Sequence, residues 1–183
     1  MNPAIFLLFL LNFAYIGLLP RIFFKKGKFH LLWWITGAPF LVCTVVLAAC
    51  FTGYFSVWTV LPQWIAECFA VPLSALSMSL ISCTIGTHRS RPALWHQNEP
   101  PESIVTYGAY RYIRHPFYTS FLLALLGALL FAPHPGTVFT FLYGLFILNF
   151  TASKEEKFLS ESNFGDQYRD YLKRSGRFLP WFM

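Results

Sequence analysis

Five apolar runs, each ended by a short polar or turn-forming stretch, set the pattern of this chain. They cover about residues 3–19, 31–51, 57–85, 117–131 and 137–153. An α-helix needs roughly 20 apolar residues to cross a bilayer, so each run predicts a membrane helix. The last two are short, which predicts that they tilt little or thin the bilayer locally. Only Ala132-Pro133-His134-Pro135-Gly136 separates them, so they form a hairpin. Residues 86–116 make a long polar connection containing Arg91-Pro92 and Pro100-Pro101. A connection of that length is a lid, a binding loop or disorder. From Lys154 to Arg174, charges of both signs alternate with Phe158, Leu159, Phe164, Tyr168, Tyr171 and Leu172 at helical spacing. This predicts an amphipathic helix on the cytoplasmic face, broken near Asn163-Phe164-Gly165. The expected fold is all-α: one integral membrane bundle with about five transmembrane helices. Residues 1–85 hold three of them, 117–153 the hairpin and 154–183 the tail.

Composition supports this class. Hydrophobic residues make up 56% and charged residues 12% of the chain. A soluble domain carries about twice that share of charge. All Lys and Arg fall in three stretches, residues 21–28, 89–114 and 154–177. The positive-inside rule then puts the N-terminus outside and the C-terminus in the cytoplasm, which agrees with an odd number of spans. The net charge of +6 does not indicate nucleic acid, because the basic stretches are short and flank apolar runs. Anionic lipid headgroups account for them. No cleavable signal pattern precedes the first run. A bacterial inner membrane and an endoplasmic reticulum fit equally.

Cys43, Cys50, Cys68 and Cys83 lie in apolar runs with no paired spacing, and the five histidines lack metal-ligand spacing, so no metal site is expected. The chemistry concentrates at the two ends of the hairpin. Arg114-His115-Pro116-Phe117-Tyr118 opens it and Glu155-Glu156 closes it, so folding back brings a basic, aromatic cluster near two carboxylates. Pro116 fits the first helical position and His115 the N-cap. The helix start and Arg114 favour an anion, and Tyr118 shares their face. Adjacent glutamates on a helix point about 100° apart, so Glu155 and Glu156 cannot form a symmetric dyad. One suits a ligand ammonium or ribose hydroxyls, and the other pairs with Arg114 or Arg111. The bland alternative makes Glu155-Glu156 a solvated helix end between Lys154 and Lys157, and Arg114-His115-Pro116 a basic flank with a helix cap.

Taken together, these segments resemble the isoprenylcysteine carboxyl methyltransferase family and its membrane relatives. The resemblance rests on Gly108-Ala109-Tyr110-Arg111-Tyr112-Ile113-Arg114-His115-Pro116-Phe117-Tyr118, then Glu155-Glu156. It continues through Phe164-Gly165-Asp166-Gln167-Tyr168-Arg169-Asp170-Tyr171 and Arg177-Phe178-Leu179-Pro180. It covers about residues 104–180 and departs at Ala109, where Pro is usual, and at Ser120, where Gly is usual. It implies S-adenosylmethionine bound on the cytoplasmic side by Tyr110, His115, Pro116, Tyr118, Glu155 and Glu156, with Gly108 allowing backbone approach. It also implies methyl transfer to a lipophilic acceptor arriving sideways from the bilayer. Arg114 or Arg177 would hold an acceptor carboxylate, and Glu156 joins them as a catalytic candidate. A carboxylate acceptor needs no base; an amine acceptor, as in the related phospholipid methyltransferases, needs Glu155, Glu156 or His115.

Two rivals stand beside this reading. Membrane sterol and ene reductases carry a similar Arg-His-Pro-Asn-Tyr segment and bind NADPH, but Phe117 replaces the Asn here. The other rival is a non-catalytic membrane subunit. Elsewhere, Glu67 is an intramembrane acid best read as snorkelling or pairing with Gln63 or Trp64. Trp33-Trp34 and Trp181 read as interfacial anchors. Trp95-His96 is either lid or surface loop. Asn149 either lines the cofactor cavity or hydrogen-bonds to a neighbouring helix.

Overall fold

A computed structural model describes residues 1–22, 31–88 and 104–180 of the chain. The basic loop at Lys25–Lys28, the pair Trp95-His96 and Trp181 lie outside these residues, as does the side chain of Trp33. Six α-helices follow in order: α1 (Pro3–Ile22), α2 (Leu31–Phe51), α3 (Gln63–Thr87), α4 (Pro116–Phe131), α5 (Pro135–Ser160) and α6 (Gly165–Arg174). Among the described residues a 3₁₀ turn, Gly108–Arg111, precedes α4.

Side-chain pairings fix the direction of each helix. Asn12 on α1 meets Ser74 on α3, and Tyr15 meets Ser82, so these two run parallel. Phe6 stacks on Phe51 at 4.4 Å, which sets α1 and α2 antiparallel. The Tyr143 hydroxyl of α5 donates to the Ile35 carbonyl of α2. The first five helices therefore alternate up and down. One end of the bundle gathers the C-terminal ends of α1, α3 and α5 with the N-terminal end of α4.

The core is aromatic and small by turns. Phe9, Phe13, Phe40 and Phe131 are buried, packed with Ala70, Ala124 and Ala128. Small residues let α3 and α4 approach closely: a Cβ on Gly127 would stand 3.2 Å from the Ala70 carbonyl. Asn12 is fully buried, yet its amide donates to the Ser74 hydroxyl at 2.9 Å and its carbonyl accepts from Ser77 at 3.3 Å. A satisfied polar contact of this kind holds helices together where lipid offers no alternative partner.

The all-helical membrane class holds, but the span count changes. Among the described residues, three helices are long and apolar enough to cross a membrane: α2 over Trp34–Phe51, α3 and α5. The apolar parts of α1 (Pro3–Leu19) and α4 (Pro116–Phe131) are shorter. The expected count of about five therefore becomes about three. In α4 the reason is local: Pro116 starts the helix and Ala132-Pro133 ends it after 16 residues, about 24 Å of rise. The hydrocarbon core is ~30 Å thick.

Two boundaries also move. The third run was expected from about residue 57, yet α3 starts at Gln63, directly after Pro62. The fifth was expected to stop at Ser153, yet α5 continues to Ser160. Glu155 and Glu156 thus stand on the same rigid helix as the apolar run. The tail helix expected from Lys154 is divided between the end of α5 and α6.

Candidate functional site

Three backbone features present the motif at one end of the bundle. First, Gly108 takes φ +61°, a left-handed conformation that suits glycine. A Cβ there would stand 1.9 Å from the Thr87 methyl on α3, so the turn sits hard against that helix. Second, the stretch from Tyr112 to His115 pairs in parallel with the segment after α6. Gly176 N–H donates to the Tyr112 carbonyl at 3.1 Å, Arg114 N–H to Gly176 at 2.8 Å and His115 N–H to Arg177 at 3.1 Å. Third, His115 is the N-cap of α4 and Pro116 its first residue. Thr119, one turn on, ties both segments down: its backbone N–H donates to the His115 carbonyl at 2.9 Å and its hydroxyl to the Phe178 carbonyl at 2.8 Å.

Opposite this platform stands the last turn but one of α5. The His115 ring fits between the two adjacent carboxylates. Its Nδ1 is 3.5 Å from Glu155 Oε2 and its Nε2 is 3.2 Å from Glu156 Oε1. The Tyr118 ring stacks on His115 with centroids 5.3 Å apart and planes nearly parallel, and its hydroxyl donates to Glu155 Oε1 at 2.8 Å. Arg114 Nε donates to Glu156 Oε1 at 2.9 Å. Its Nη1 donates to the carbonyls of Leu172 and Ser175. Arg177 grips Glu156 with two donors, Nε to Oε1 at 3.2 Å and Nη2 to Oε2 at 2.5 Å. Arg177 Nη1 reaches Asn149 Oδ1 at 2.7 Å and Ser153 Oγ at 2.9 Å.

Burial separates the roles. Arg114 and Glu156 are nearly sealed, at 7% and 9% side-chain exposure. Glu155 is 12% exposed and Arg177 29%. Two guanidinium groups and an imidazole thus face two carboxylates in a place with little water. Burial pulls the His115 pKa down, but its hydrogen bonds to Glu155 and Glu156 and their charges outweigh that, so it ends above the ordinary value. Only the doubly protonated ring can donate to both glutamates. Burial also pushes the Tyr171 phenol up to about 12, so it stays a donor to the Tyr110 carbonyl.

The expected site residues are not all in one place. Arg114, His115, Tyr118, Glu155, Glu156 and Arg177 meet directly. Pro116 supports them as the start of α4. Tyr110 turns toward α3, where its hydroxyl is 3.0 Å from His88 Nε2. Gly108 is occupied by the Thr87 contact. Of the two arginines open to a glutamate, Arg114 takes the pair; Arg111 lies over the Tyr112 ring. Asn149 bonds to Arg177. At the far end, Glu67 accepts from Gln63 at 3.1 Å, the pairing expected for it. Thr119, Ser153 and the carbonyls of Leu172 and Ser175 escaped the sequence reading. Spacing alone offered a signal for two of them: Thr119 stands four residues after His115, and Ser153 four after Asn149.

Among the described residues no group of His, Cys, Asp and Glu could hold a metal ion. No curated protein matches the chain. The family model of the isoprenylcysteine carboxyl methyltransferases matches residues 70–161, half of the sequence. That stretch runs from α3 through both glutamates and stops before α6 and Arg177. An apolar helical bundle whose central half carries this match is a membrane methyltransferase by descent: the chain belongs to the isoprenylcysteine carboxyl methyltransferase family.

Proposed function

We propose that this protein transfers a methyl group from S-adenosylmethionine to a lipophilic carboxylate at the cytoplasmic membrane face. The observation that carries the reading is the sealed cluster at the hairpin ends, inside a chain of this family. The donor set fits the cofactor. Glu155 is the carboxylate with spare capacity, since among the described residues its contacts are the Tyr118 hydroxyl and a long approach from His115. Glu156 already accepts from Arg114, Arg177 and His115. We therefore assign Glu155 to the cofactor's ammonium or ribose hydroxyls, beside the Tyr118 and His115 rings, with Pro116 shaping the wall and Gly108 and Tyr110 anchoring the turn behind it to α3. Glu156 acts on Arg177.

Bound there, the cofactor supplies an electrophilic methyl on a sulfonium. The protein's own part is orientation and dryness. Arg177, the more exposed arginine, is assigned to the acceptor carboxylate. Arg114, whose donors point inward, is assigned to hold Glu156 and the segment after α6. A carboxylate attacking a sulfonium cancels charge in the transition state, so a site that excludes water favours it. Fixing the two reactants in line contributes further. No proton moves. The cytoplasmic assignment follows from the basic stretches. Along the sequence they follow α1, precede α4 and begin in the last turns of α5, and those three helix ends lie at the site's end of the bundle.

Calorimetry on the detergent-purified protein tests this, with NADPH as the comparison ligand. Saturable binding of S-adenosylmethionine alone is expected, lost in Glu155→Ala. Binding of NADPH instead, or unchanged affinity in both Glu155→Ala and Glu156→Ala, overturns the assignment.

A further inference from the structure

One flank of α5 carries a short polar ladder that runs from the bundle's surface to the buried Glu156. Asn149, Ser153 and Glu156 recur at helical spacing, and the first two are exposed side chains on an otherwise apolar surface that includes Phe146 and Phe150. An exposed carboxamide on a lipid-facing surface is unfavourable without a partner. Here the partner is Arg177, which comes from the segment after α6 and is absent from α5 itself. Its Nη1 is held by Asn149 Oδ1 at 2.7 Å and Ser153 Oγ at 2.9 Å, while Nε and Nη2 are held by Glu156. Glu156, holding Nε and Nη2, sets the plane of the guanidinium but leaves its Nη1 end free to tilt along α5. A second anchor about 10 Å down the helix removes that freedom. Both anchors stand on one rigid helix, a suitable base for holding a charged group in register.

We propose that Asn149, seconded by Ser153, is a positioning residue that fixes the Nη1 end of Arg177 and so sets the tilt and depth of its guanidinium. Through it the protein fixes where a membrane-borne carboxylate is presented. This rests on the proposed role of Arg177.

The test has two arms. In the first, unfolding of the detergent-solubilised protein is followed in a double-mutant cycle of Asn149→Leu and Arg177→Met. The two substitutions are expected to be non-additive. Additivity overturns the proposal whatever the protein catalyses. In the second, methyl transfer from S-adenosylmethionine to a prenylated cysteine is measured. Asn149→Leu is expected to lower kcat/KM for the acceptor about tenfold, the scale of one hydrogen bond to a charged group. Affinity for S-adenosylmethionine should stay unchanged, and Asn149→Asp, which keeps the acceptor oxygen, should restore the rate. An unaltered rate in Asn149→Leu overturns the positioning role while the methyltransferase reading stands. A wild-type protein that leaves the prenylated cysteine unmethylated, despite coupling in the first arm, overturns the presentation of that carboxylate by Arg177 and leaves the Asn149–Arg177 contact standing.

Discussion

At the scale of single residues, the site is a matter of which carboxylate has its partners. Glu156 holds two guanidinium groups and an imidazole in near isolation from water. Breaking a buried pair leaves charge without compensation, at a cost of about 3–5 kcal/mol. Glu156→Gln is therefore expected to lower the unfolding midpoint sharply, and Glu155→Gln much less. Equal midpoints for the two variants would contradict this division. His115 adds a pH dependence. Its folded pKa lies above the ordinary value of about 6.5, so folding takes up protons there. Its stabilising contribution is complete below that ordinary value and is lost as the pH rises through the folded pKa. The unfolding midpoint of the wild type should fall over that rise, and His115→Asn should flatten this part of the curve. At this scale the sequence was informative: the Arg-His-Pro segment and the glutamate pair were legible as neighbours. Their pairing was not, because an angle of 100° between two side chains does not say which faces Arg114.

At the scale of elements, the 3₁₀ turn before α4 sets the motif against α3. Gly108→Ala places a methyl into Thr87 and holds a side chain at positive φ. The conformational part costs roughly 1–2 kcal/mol, and the overlap roughly 1–3 kcal/mol more. Thr87→Ser removes the clashing methyl, so the double variant Gly108→Ala, Thr87→Ser should recover the overlap part alone. Failure to recover any stability would show that Thr87 is not what the glycine makes room for. The start of α4 was readable from Pro116, the start of α3 after Pro62 was missed within an apolar run, and the end of α5, which no proline marks, was unreadable. Nothing in the charged residues after Ser153 ends α5, since Lys and Glu are good helix formers. The helix therefore runs on and takes Glu155 and Glu156 with it.

At the scale of the whole molecule, the short α4 is shielded from the bilayer. Its apolar length of about 24 Å falls short of the hydrocarbon core. Yet none of its residues is exposed, because α1, α2, α3 and α5 pack around it. Lipid therefore meets α2, α3 and α5, which are long enough to cross. Mismatch costs a fraction of a kcal/mol per Å. The protein reconstituted in lipids of about 14-carbon chains should unfold at no higher a temperature than in lipids of about 18-carbon chains. A clearly higher midpoint in the thinner bilayer would mean that α4 meets lipid along its length.

The sequence by itself determined the class of this protein. Apolar runs, segregated basic residues and a turn rich in proline dictate membrane helices and a hairpin, because the bilayer leaves a chain few other ways to satisfy its backbone. It also brought Arg114-His115-Pro116 to one end of that hairpin and Glu155-Glu156 to the other. Only the tertiary structure decided which helices are long enough to cross and that His115 sits between the two carboxylates. It also decided that Arg177, 21 residues beyond Glu156 along the chain, returns to grip that glutamate. That return depends on Tyr112 to His115 finding Gly176 and Arg177 as backbone partners. Pairing between segments far apart leaves no periodicity in either one, so no local pattern records it.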